Sequence, residues 1–281
     1  MSPRRRMWRR LVLAVVALSL VTVGAWVRAD WEVRNTRLVE TTLITSELAA
    51  ELRVVQVTDF HNVPRPAQVD QVVELVRGAE PDLIALTGDL VNTSNDALDP
   101  VERLVAGLAT IGAPVFYVDG NHDHWSRDQQ DLHGLLREHG VTILVNESLP
   151  FEGAFGRIQL VGVDDYFSGH GDLAAAVAGL PDDGFRLVLT HSPGILPELD
   201  RHDVDYAMCG HTHGGQIRLP LIGALYQPGG DWFPRVSKGV YVDGAATLFV
   251  DSGVGVTGPP LRFLNQSQVT LHRIGSQRSG R

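Results

Sequence analysis

Short apolar runs that end in acidic, amide or imidazole side chains are the feature that most restricts how this chain can fold. Five such runs cover residues 52–58, 83–87, 115–118, 187–190 and 206–209. Runs that are apolar throughout are typical of strands covered on both faces, as in parallel sheets. In open α/β sheets, ligands bind beyond the carboxyl ends of the strands. The pattern therefore predicts a buried sheet with a polar site at its strand ends.

Helical patterns separate these runs. The predicted helices cover residues 67–77, 99–111 and 132–139. Pro100 suits a first helical turn and Gly140 suits a helix end. Strand–helix–strand order implies parallel strands with right-handed crossovers. Further strands are predicted over residues 158–163, 240–242, 247–250 and 269–271. An Asp243-Gly244 turn between two of them predicts a hairpin.

The expected fold class is α/β, a four-layer α/β/β/α sandwich of two mixed sheets with a metal site at the carboxyl ends of the strands. Residues 51–274 form the predicted domain, preceded by a connecting segment over 28–50. Residues 275–281 are rich in Ser, Gly and Arg and are expected to be frayed.

The amino terminus has the pattern of a signal anchor or a signal peptide. Residues 1–10 contain five arginines, and residues 11–27 contain no charge. A bilayer core of about 30 Å needs roughly 17–25 apolar helical residues, so this segment is long enough to cross. Its length and flank favour a retained signal anchor over a cleaved signal peptide. Because basic residues stay on the cytoplasmic side, the domain that follows is expected outside the cytoplasm, attached to the cytoplasmic membrane. The arginine pairs leave both the Sec and the twin-arginine export routes open.

Charge is divided unevenly along the chain. The net charge is −9 at pH 7, yet residues 1–29 contain six arginines and no acid. The remainder holds 18 basic and 33 acidic side chains, a net charge of −15. Nucleic-acid binding needs a basic face, so no nucleic acid is expected as a partner. The single cysteine, Cys209, excludes an intramolecular disulfide and a thiolate metal cluster.

Seven side chains that can bind metal fall at the strand ends. They are Asp59, His61, Asp89, Asn121, His191, His211 and His213. Imidazole and carboxylate donors without thiolate suit Mn, Fe or Zn. Seven ligands are too many for one ion, and they predict two divalent ions that share a bridging carboxylate. Such a pair stabilises both the attacking and the leaving oxygen of an in-line displacement.

The order of these motifs resembles the calcineurin-like metallophosphoesterases. The motifs are Asp59-x-His61, Gly88-Asp89, Gly120-Asn121-His122-Asp123, His191 and Gly210-His211-x-His213. The resemblance continues through residues 214–216, 219–220, 253–256 and 260–263. With the amino-terminal anchor, this extension is similar to a membrane-associated bacterial subgroup. Some members of that subgroup hydrolyse UDP-2,3-diacylglucosamine or act as phosphodiesterases.

The resemblance implies a role for each residue of the motifs. Asp59, His61 and His213 would bind the first ion, Asn121, His191 and His211 the second, and Asp89 would bridge them. A hydroxide that bridges the two ions would attack phosphorus in line with the leaving group. His122 would donate a proton or a hydrogen bond to the leaving oxygen, and Asp123 would orient His122.

Two arginines beyond the motifs, Arg218 and Arg262, are candidates for binding substrate phosphate, because guanidinium pairs with phosphate oxygens in bidentate fashion. The alternative for both is an ordinary surface arginine.

The function expected is hydrolysis of a phosphodiester or pyrophosphate bond in a phosphorylated small molecule, or in a lipid-linked or wall-associated substrate. A phosphomonoesterase of broad specificity is the alternative enzyme. A binding protein that has lost catalysis is the alternative of another class, although no ligand of the motif set is missing. The oligomeric state is left open.

Overall fold

The computed structural model describes residues 3–95, 97–127, 129–181, 183–228 and 232–275. Two six-stranded sheets dominate these residues. The first has the strand order β1 (Arg37–Ile44), β14 (Gln268–Gly275), β2 (Leu52–Val57), β3 (Leu83–Thr87), β4 (Val115–Val118) and β5 (Thr142–Ile143). Strands β2 to β5 are parallel and β14 is antiparallel to β2, so this sheet is mixed.

The second sheet is also mixed. Its strand order is β12 (Gly239–Asp243), β13 (Ala246–Val250), β9 (Tyr206–Cys209), β8 (Arg186–Leu189), β7 (Gly156–Gly162) and β6 (Glu147–Gly153). The two outer pairs are antiparallel hairpins, and the strands between them are parallel. A separate two-stranded hairpin consists of β10 (Ile217–Leu219) and β11 (Gly223–Tyr226).

Three apolar clusters separate the layers. The helices after the amino terminus are α2 (Pro66–Gly78), α3 (Asp99–Ala109), α4 (Asn121–Trp125), α5 (Gln129–Glu138) and α6 (Leu173–Ala176). Helices α2, α3 and α5 bury their apolar faces on the first sheet, and a second cluster fills the space between the sheets. On the outer face of the second sheet, α6 and the short helical turns over 193–202 pack on a third cluster. This is the four-layer sandwich predicted from the sequence.

The predicted strands that surround the polar clusters are confirmed. Strands β3, β4 and β9 have the predicted bounds, and the Asp243-Gly244 turn joins β12 to β13. Strand β1 was not predicted, because its half-exposed residues lack the apolar run of a strand covered on both faces. It forms because β14 offers a parallel partner along its whole length. Of the predicted tail, residues 276–281 lie outside the described residues, and Gly275 is the last residue of β14.

Helix α1 covers Pro3–Arg34 and so continues seven residues past the apolar segment 11–27. Among the described residues it is the only helix long and apolar enough to cross a membrane, and its apolar stretch is exposed. In its last turns Ala29, Glu32 and Val33 are buried against the domain. The helix is therefore attached to the sandwich at one end.

Candidate metal centre

The seven predicted ligands lie in the loops that follow five strands of both sheets. Asp59 and His61 follow β2, Asp89 follows β3, Asn121 follows β4, His191 follows β8, and His211 and His213 follow β9. A hydrogen bond joins the ends of the two sheets here. His191, which follows β8 of the second sheet, has its Nδ1 2.8 Å from the carbonyl oxygen of Thr87, the last residue of β3 in the first sheet. The structure thus brings all five strand ends to one edge of the sandwich.

One group of ligand atoms consists of Asp59, His61 and His213. The two Nε2 atoms of the histidines lie 3.1 Å apart, and His213 Nε2 lies 3.4 Å from Asp59 Oδ1. Both side chains are fully buried, and the two rings stack with centroids 4.9 Å apart. These atoms can therefore bind one ion together, as predicted for the first metal.

A second group surrounds His191. His211 Nδ1 lies 2.8 Å from Asn121 Oδ1, and the rings of His191 and His211 meet edge to face. The bond from His191 Nδ1 to Thr87 sets the ring so that Nε2 faces the other ligands. That Nε2 is buried and lies 3.2 Å from Asp89 Oδ2. A buried imidazole nitrogen that faces a carboxylate can share a cation with it.

Asp89 lies between the two groups. Its Oδ2 is 3.5 Å from His61 Nε2 and 3.2 Å from His191 Nε2. Its Oδ1 accepts a hydrogen bond from the backbone N–H of His122 at 2.8 Å. The carboxylate therefore has the position required of a bridging ligand.

The protonation states fit metal binding. Burial lowers the pKa of His61 to about 3 and that of His211 to about 4, and it holds the pKa of His213 well below its usual value. These three imidazoles are therefore neutral at pH 7, the form that binds metal. Despite its burial, His191 has a pKa well above the usual value because of the Asp89 carboxylate, so an ion bound there would displace a proton. Burial raises the pKa of Asp59 to about 7. A divalent cation beside this carboxylate would offset the cost of burying its charge, so the residues present fit two ions.

The backbone of the centre is held in an unusual conformation. Five of the seven ligands have positive φ, between 48° and 70°: Asp59, His61, Asp89, His211 and His213. Left-handed backbone costs roughly 1–2 kcal/mol for a residue with a Cβ atom, so it persists only where the surroundings impose it. Gly120 allows the close approach, because a Cβ atom there would collide with Asp89.

The predicted role of Asp123 needs correction. Its carboxylate accepts hydrogen bonds from the backbone N–H groups of Asp89, Val91 and Gly120, at 2.7, 3.0 and 2.9 Å. The ring of His122 instead has its Nδ1 3.3 Å from both N and Oγ1 of Thr93. Asp123 thus holds the loop that carries the bridging ligand, whereas Thr93 orients His122. The spacing of the motif contains no signal for Thr93.

A cavity of about 230 Å³ opens above the ligands. Its walls include Trp125, Phe167, Tyr226 and Pro228. The Phe167 ring lies 4.5 Å from that of His211, and the Trp125 ring lies 5.7 Å from that of His122. Sequence reasoning missed these walls, because a single aromatic residue in a loop has no pattern that separates it from a packing residue.

Arg262 does not fit its predicted role as a phosphate ligand. The side chain is fully buried, and its guanidinium donates to the backbone carbonyls of Ser252, Gly255 and Asn265. It therefore fastens the loops behind the centre and is inaccessible to substrate. Arg218 is partly exposed and donates to the carbonyl of Gly214 and to Ser237 Oγ, and it lines a different surface cavity.

The Arg262→Met variant is expected to lower the free energy of unfolding by about 3 kcal/mol or more, because hydrogen bonds from a charged donor contribute about 1.5–3 kcal/mol each. The melting temperature of the detergent-solubilised chain measures the loss. Arg218→Met is the control, with a smaller decrease because its guanidinium is partly hydrated. Equal melting temperatures for Arg262→Met and the unchanged chain would contradict this role.

Comparison with known proteins agrees with this centre. Residues 52–215 match the calcineurin-like phosphoesterase family. The chain is 28% identical to the uncharacterized metallophosphoesterase YkuE of Bacillus subtilis, over 97% of this chain and 98% of that one. It is 31% identical to the phosphodiesterase YaeI of Escherichia coli, over 74% and 76%. It is also 26% identical to a transmembrane protein with a metallophosphoesterase domain of Danio rerio, over 94% and 62%.

The family match covers more than half of the chain, and it includes every strand end that carries a ligand. The dinuclear His/Asp centre is the feature on which phosphoester hydrolysis in this family depends. The chain therefore belongs to the calcineurin-like phosphoesterase family and is a metallophosphoesterase.

Proposed function

We propose that this protein is a membrane-anchored phosphodiesterase that hydrolyses a phosphodiester or pyrophosphate bond. The observation that carries the proposal is the complete ligand set, with Asp89 between His61 and His191 at bridging distance from both. The likeness to the phosphodiesterase YaeI supports the choice of a diester.

The proposed cofactors are two divalent ions of Mn, Fe or Zn, because the donors are nitrogen and oxygen atoms. When bound, the ions supply a hydroxide near neutral pH and stabilise negative charge on the phosphoryl oxygens. Asp59, His61 and His213 would bind one ion and Asn121, His191 and His211 the other. The deep burial of these side chains keeps bulk water from competing with the substrate.

His122 is the proposed donor to the leaving oxygen. One of its ring nitrogens lies within 4.8 Å of the ligand atoms of His61 and Asp89, and the ring lines the cavity. Its contact with Thr93 and the bond from its N–H to Asp89 fix both the ring and the backbone. A donor held in this way needs no reorganisation when charge develops on the leaving oxygen.

The aromatic walls favour a substrate with an apolar or planar group beside the phosphorus. Trp125 is 53% exposed and Phe167 is 55% exposed, and their rings lie 6.0 Å apart. Together they offer a surface against which the second ester group of a diester would pack. A phosphomonoester of a small alcohol leaves this surface unused. A lipid-linked substrate, such as the UDP-2,3-diacylglucosamine of the similar subgroup, belongs to the class that would use it.

The proposed location is the cytoplasmic membrane, with α1 as a retained anchor and residues 51–274 as an extracytoplasmic catalytic domain. The exposed apolar stretch of α1 and the arginines before it support this orientation. Export would follow the Sec or the twin-arginine route. The acidic body favours a substrate that is delivered at the membrane or wall over a free polyanion.

The full chain in detergent is expected to contain two metal ions and to hydrolyse bis-p-nitrophenyl phosphate faster than p-nitrophenyl phosphate. Elemental analysis and the two assays with added Mn²⁺ measure this. A chelator should abolish turnover, and Mn²⁺ should restore it. Faster monoester turnover would favour the broad phosphomonoesterase. Absence of both metal and turnover in a folded sample would contradict the enzyme and favour a binding protein.

A further inference from the structure

Large apolar side chains are exposed on the β10–β11 hairpin and on the loops that pack against it. They are Leu221, Ile222, Trp232, Phe233 and Leu264, and together they are called the hairpin patch below. Their exposed fractions are 108%, 59%, 65%, 60% and 43%. Leu221, Ile222 and Leu264 line one shallow surface cavity at the tip of the β10–β11 hairpin. Trp232 packs on Tyr226 of β11, and the Phe233 N–H donates to the carbonyl of Leu225.

At three of these residues the backbone has an unfavourable left-handed conformation. Leu221, Phe233 and Leu264 have φ values of 68°, 53° and 52°. Positive φ is rare and unfavourable for bulky residues, and glycine would avoid this cost. Such strain persists where the outward position of the side chain is used.

The hairpin patch begins where α1 meets the domain. The N–H of Asn265, the residue after Leu264, donates to Glu32 Oε2 at 3.0 Å, and the N–H of Ser267 donates to the carbonyl of Glu32. The apolar segment of α1 ends at Val27, five residues before Glu32. At 1.5 Å per residue, Glu32 lies roughly 8 Å beyond the end of that segment along the helix axis. Leu264 is therefore close to the depth at which α1 would enter a bilayer.

The attachment of α1 to the domain is fixed at several points. Glu32 is buried, and Gln68 Nε2 donates to the carbonyl of Val33 at 2.9 Å. Gln266 Nε2 donates to the carbonyl of Asn35 at 2.8 Å. These bonds couple the tilt of the helix to the domain, so the domain cannot turn the patch away from the membrane independently.

The charge around the patch suits an anionic surface. Residues 217–237 contain Arg218 and Arg235 and only one acid, in a body whose net charge is −15. Basic groups near a membrane that contains anionic lipid are attracted to its surface. Trp26 and Trp31 on α1 are exposed, 66% and 45%, at the height where aromatic side chains prefer the interface.

We propose that the hairpin patch is a membrane-docking surface that inserts into the headgroup region of the bilayer that α1 crosses. The proposal rests on the retained anchor of the proposed function. It brings the cavity of the metal centre to the lipid surface, because Tyr226 lines that cavity and also packs against Trp232 of the patch. The substrate class implied is a phosphoester whose phosphorus lies at headgroup depth.

The test uses the full chain in nanodiscs that contain phosphatidylethanolamine and phosphatidylglycerol. A nitrobenzoxadiazole fluorophore is attached to Leu221→Cys, and lipids with a nitroxide on the acyl chain are the quenchers. Cys209 is fully buried and does not compete for the label. Val242→Cys is the matched control, since Val242 is apolar, 68% exposed and lies near the turn at the end of the second sheet opposite the metal centre.

Emission at position 221 is expected to be blue-shifted and several-fold more strongly quenched than emission at position 242. Equal quenching at 221 and 242 would overturn docking, and so would a blue shift at 221 without quenching, which indicates protein against the label. Val16→Cys in α1 reports on the anchor separately. Quenching at 16 but not at 221 would refute docking while the anchor holds, whereas no quenching at 16 would refute the anchor itself.

Discussion

The Asp89→Ala variant is expected to lose metal and activity together. The measured metal content should fall from two ions per chain to one or fewer, because Asp89 Oδ2 lies 3.5 Å from His61 Nε2 in one ligand group and 3.2 Å from His191 Nε2 in the other. A bound ion contributes several kcal/mol of transition-state stabilisation, so turnover should fall by at least about 10³-fold.

Two further variants separate metal loss from misfolding. Asp89→Asn keeps the shape of the side chain and the acceptor for the His122 N–H, yet it removes the charge that the ions share. In the metal-free form it should therefore keep the melting temperature of the unchanged chain, and it should still bind less metal. Asp70→Ala removes an exposed carboxylate paired with Arg103 on α3 and should change neither quantity. Two tightly bound ions in Asp89→Ala would refute the bridging role.

The His122→Ala variant is expected to lower kcat by about 10²–10⁴-fold, the range for loss of a positioned proton donor. Metal content should stay at two per chain, because the ligand groups are complete without this ring. KM should change little, since the lost interaction is made mainly in the transition state. Elemental analysis and steady-state kinetics on a diester with an alkyl leaving group measure these quantities.

The controls for His122 use the chain's other histidines and the nature of the leaving group. His202→Ala changes a histidine in the helical turns under the second sheet and should leave both kcat and metal content unchanged. If His122 assists departure, the loss in His122→Ala should shrink for a good leaving group such as p-nitrophenolate and grow for an alkyl ester. Full activity of His122→Ala, or loss of an ion from it, would show that the ring has a different role.

The sequence predicted the elements of the centre because they obey local rules. Each ligand follows a mostly apolar strand, and a strand buried on both faces has a composition that can be recognised without knowledge of its neighbours. Strand β1 escaped prediction because a half-exposed edge strand owes its existence to its partner β14. The same holds for the hairpin β10–β11, whose short strands depend on the loops around them.

The residue roles that were predicted wrongly depend on contacts between segments that are distant in the sequence. Arg218 and Arg262 have similar apolar neighbours in the sequence, yet Arg262 is sealed inside the loops behind the centre and Arg218 reaches the surface. Asp123 is adjacent to His122, but helical geometry turns its carboxylate toward the backbone of Asp89 and Val91. Adjacency in a motif therefore did not predict which groups touch.

The sequence by itself determined the strands that precede the polar clusters, the chemical types of the candidate ligands and the apolar segment of α1, because these follow from composition and spacing along the chain. Only the tertiary structure decided how candidate ligands from two sheets divide into two groups, which ring nitrogens meet within them, and that Thr93 contacts the ring of His122. It also placed the hairpin patch beside the end of α1. These features arise from packing between segments up to 233 residues apart, and such contacts leave no periodic signal in either segment.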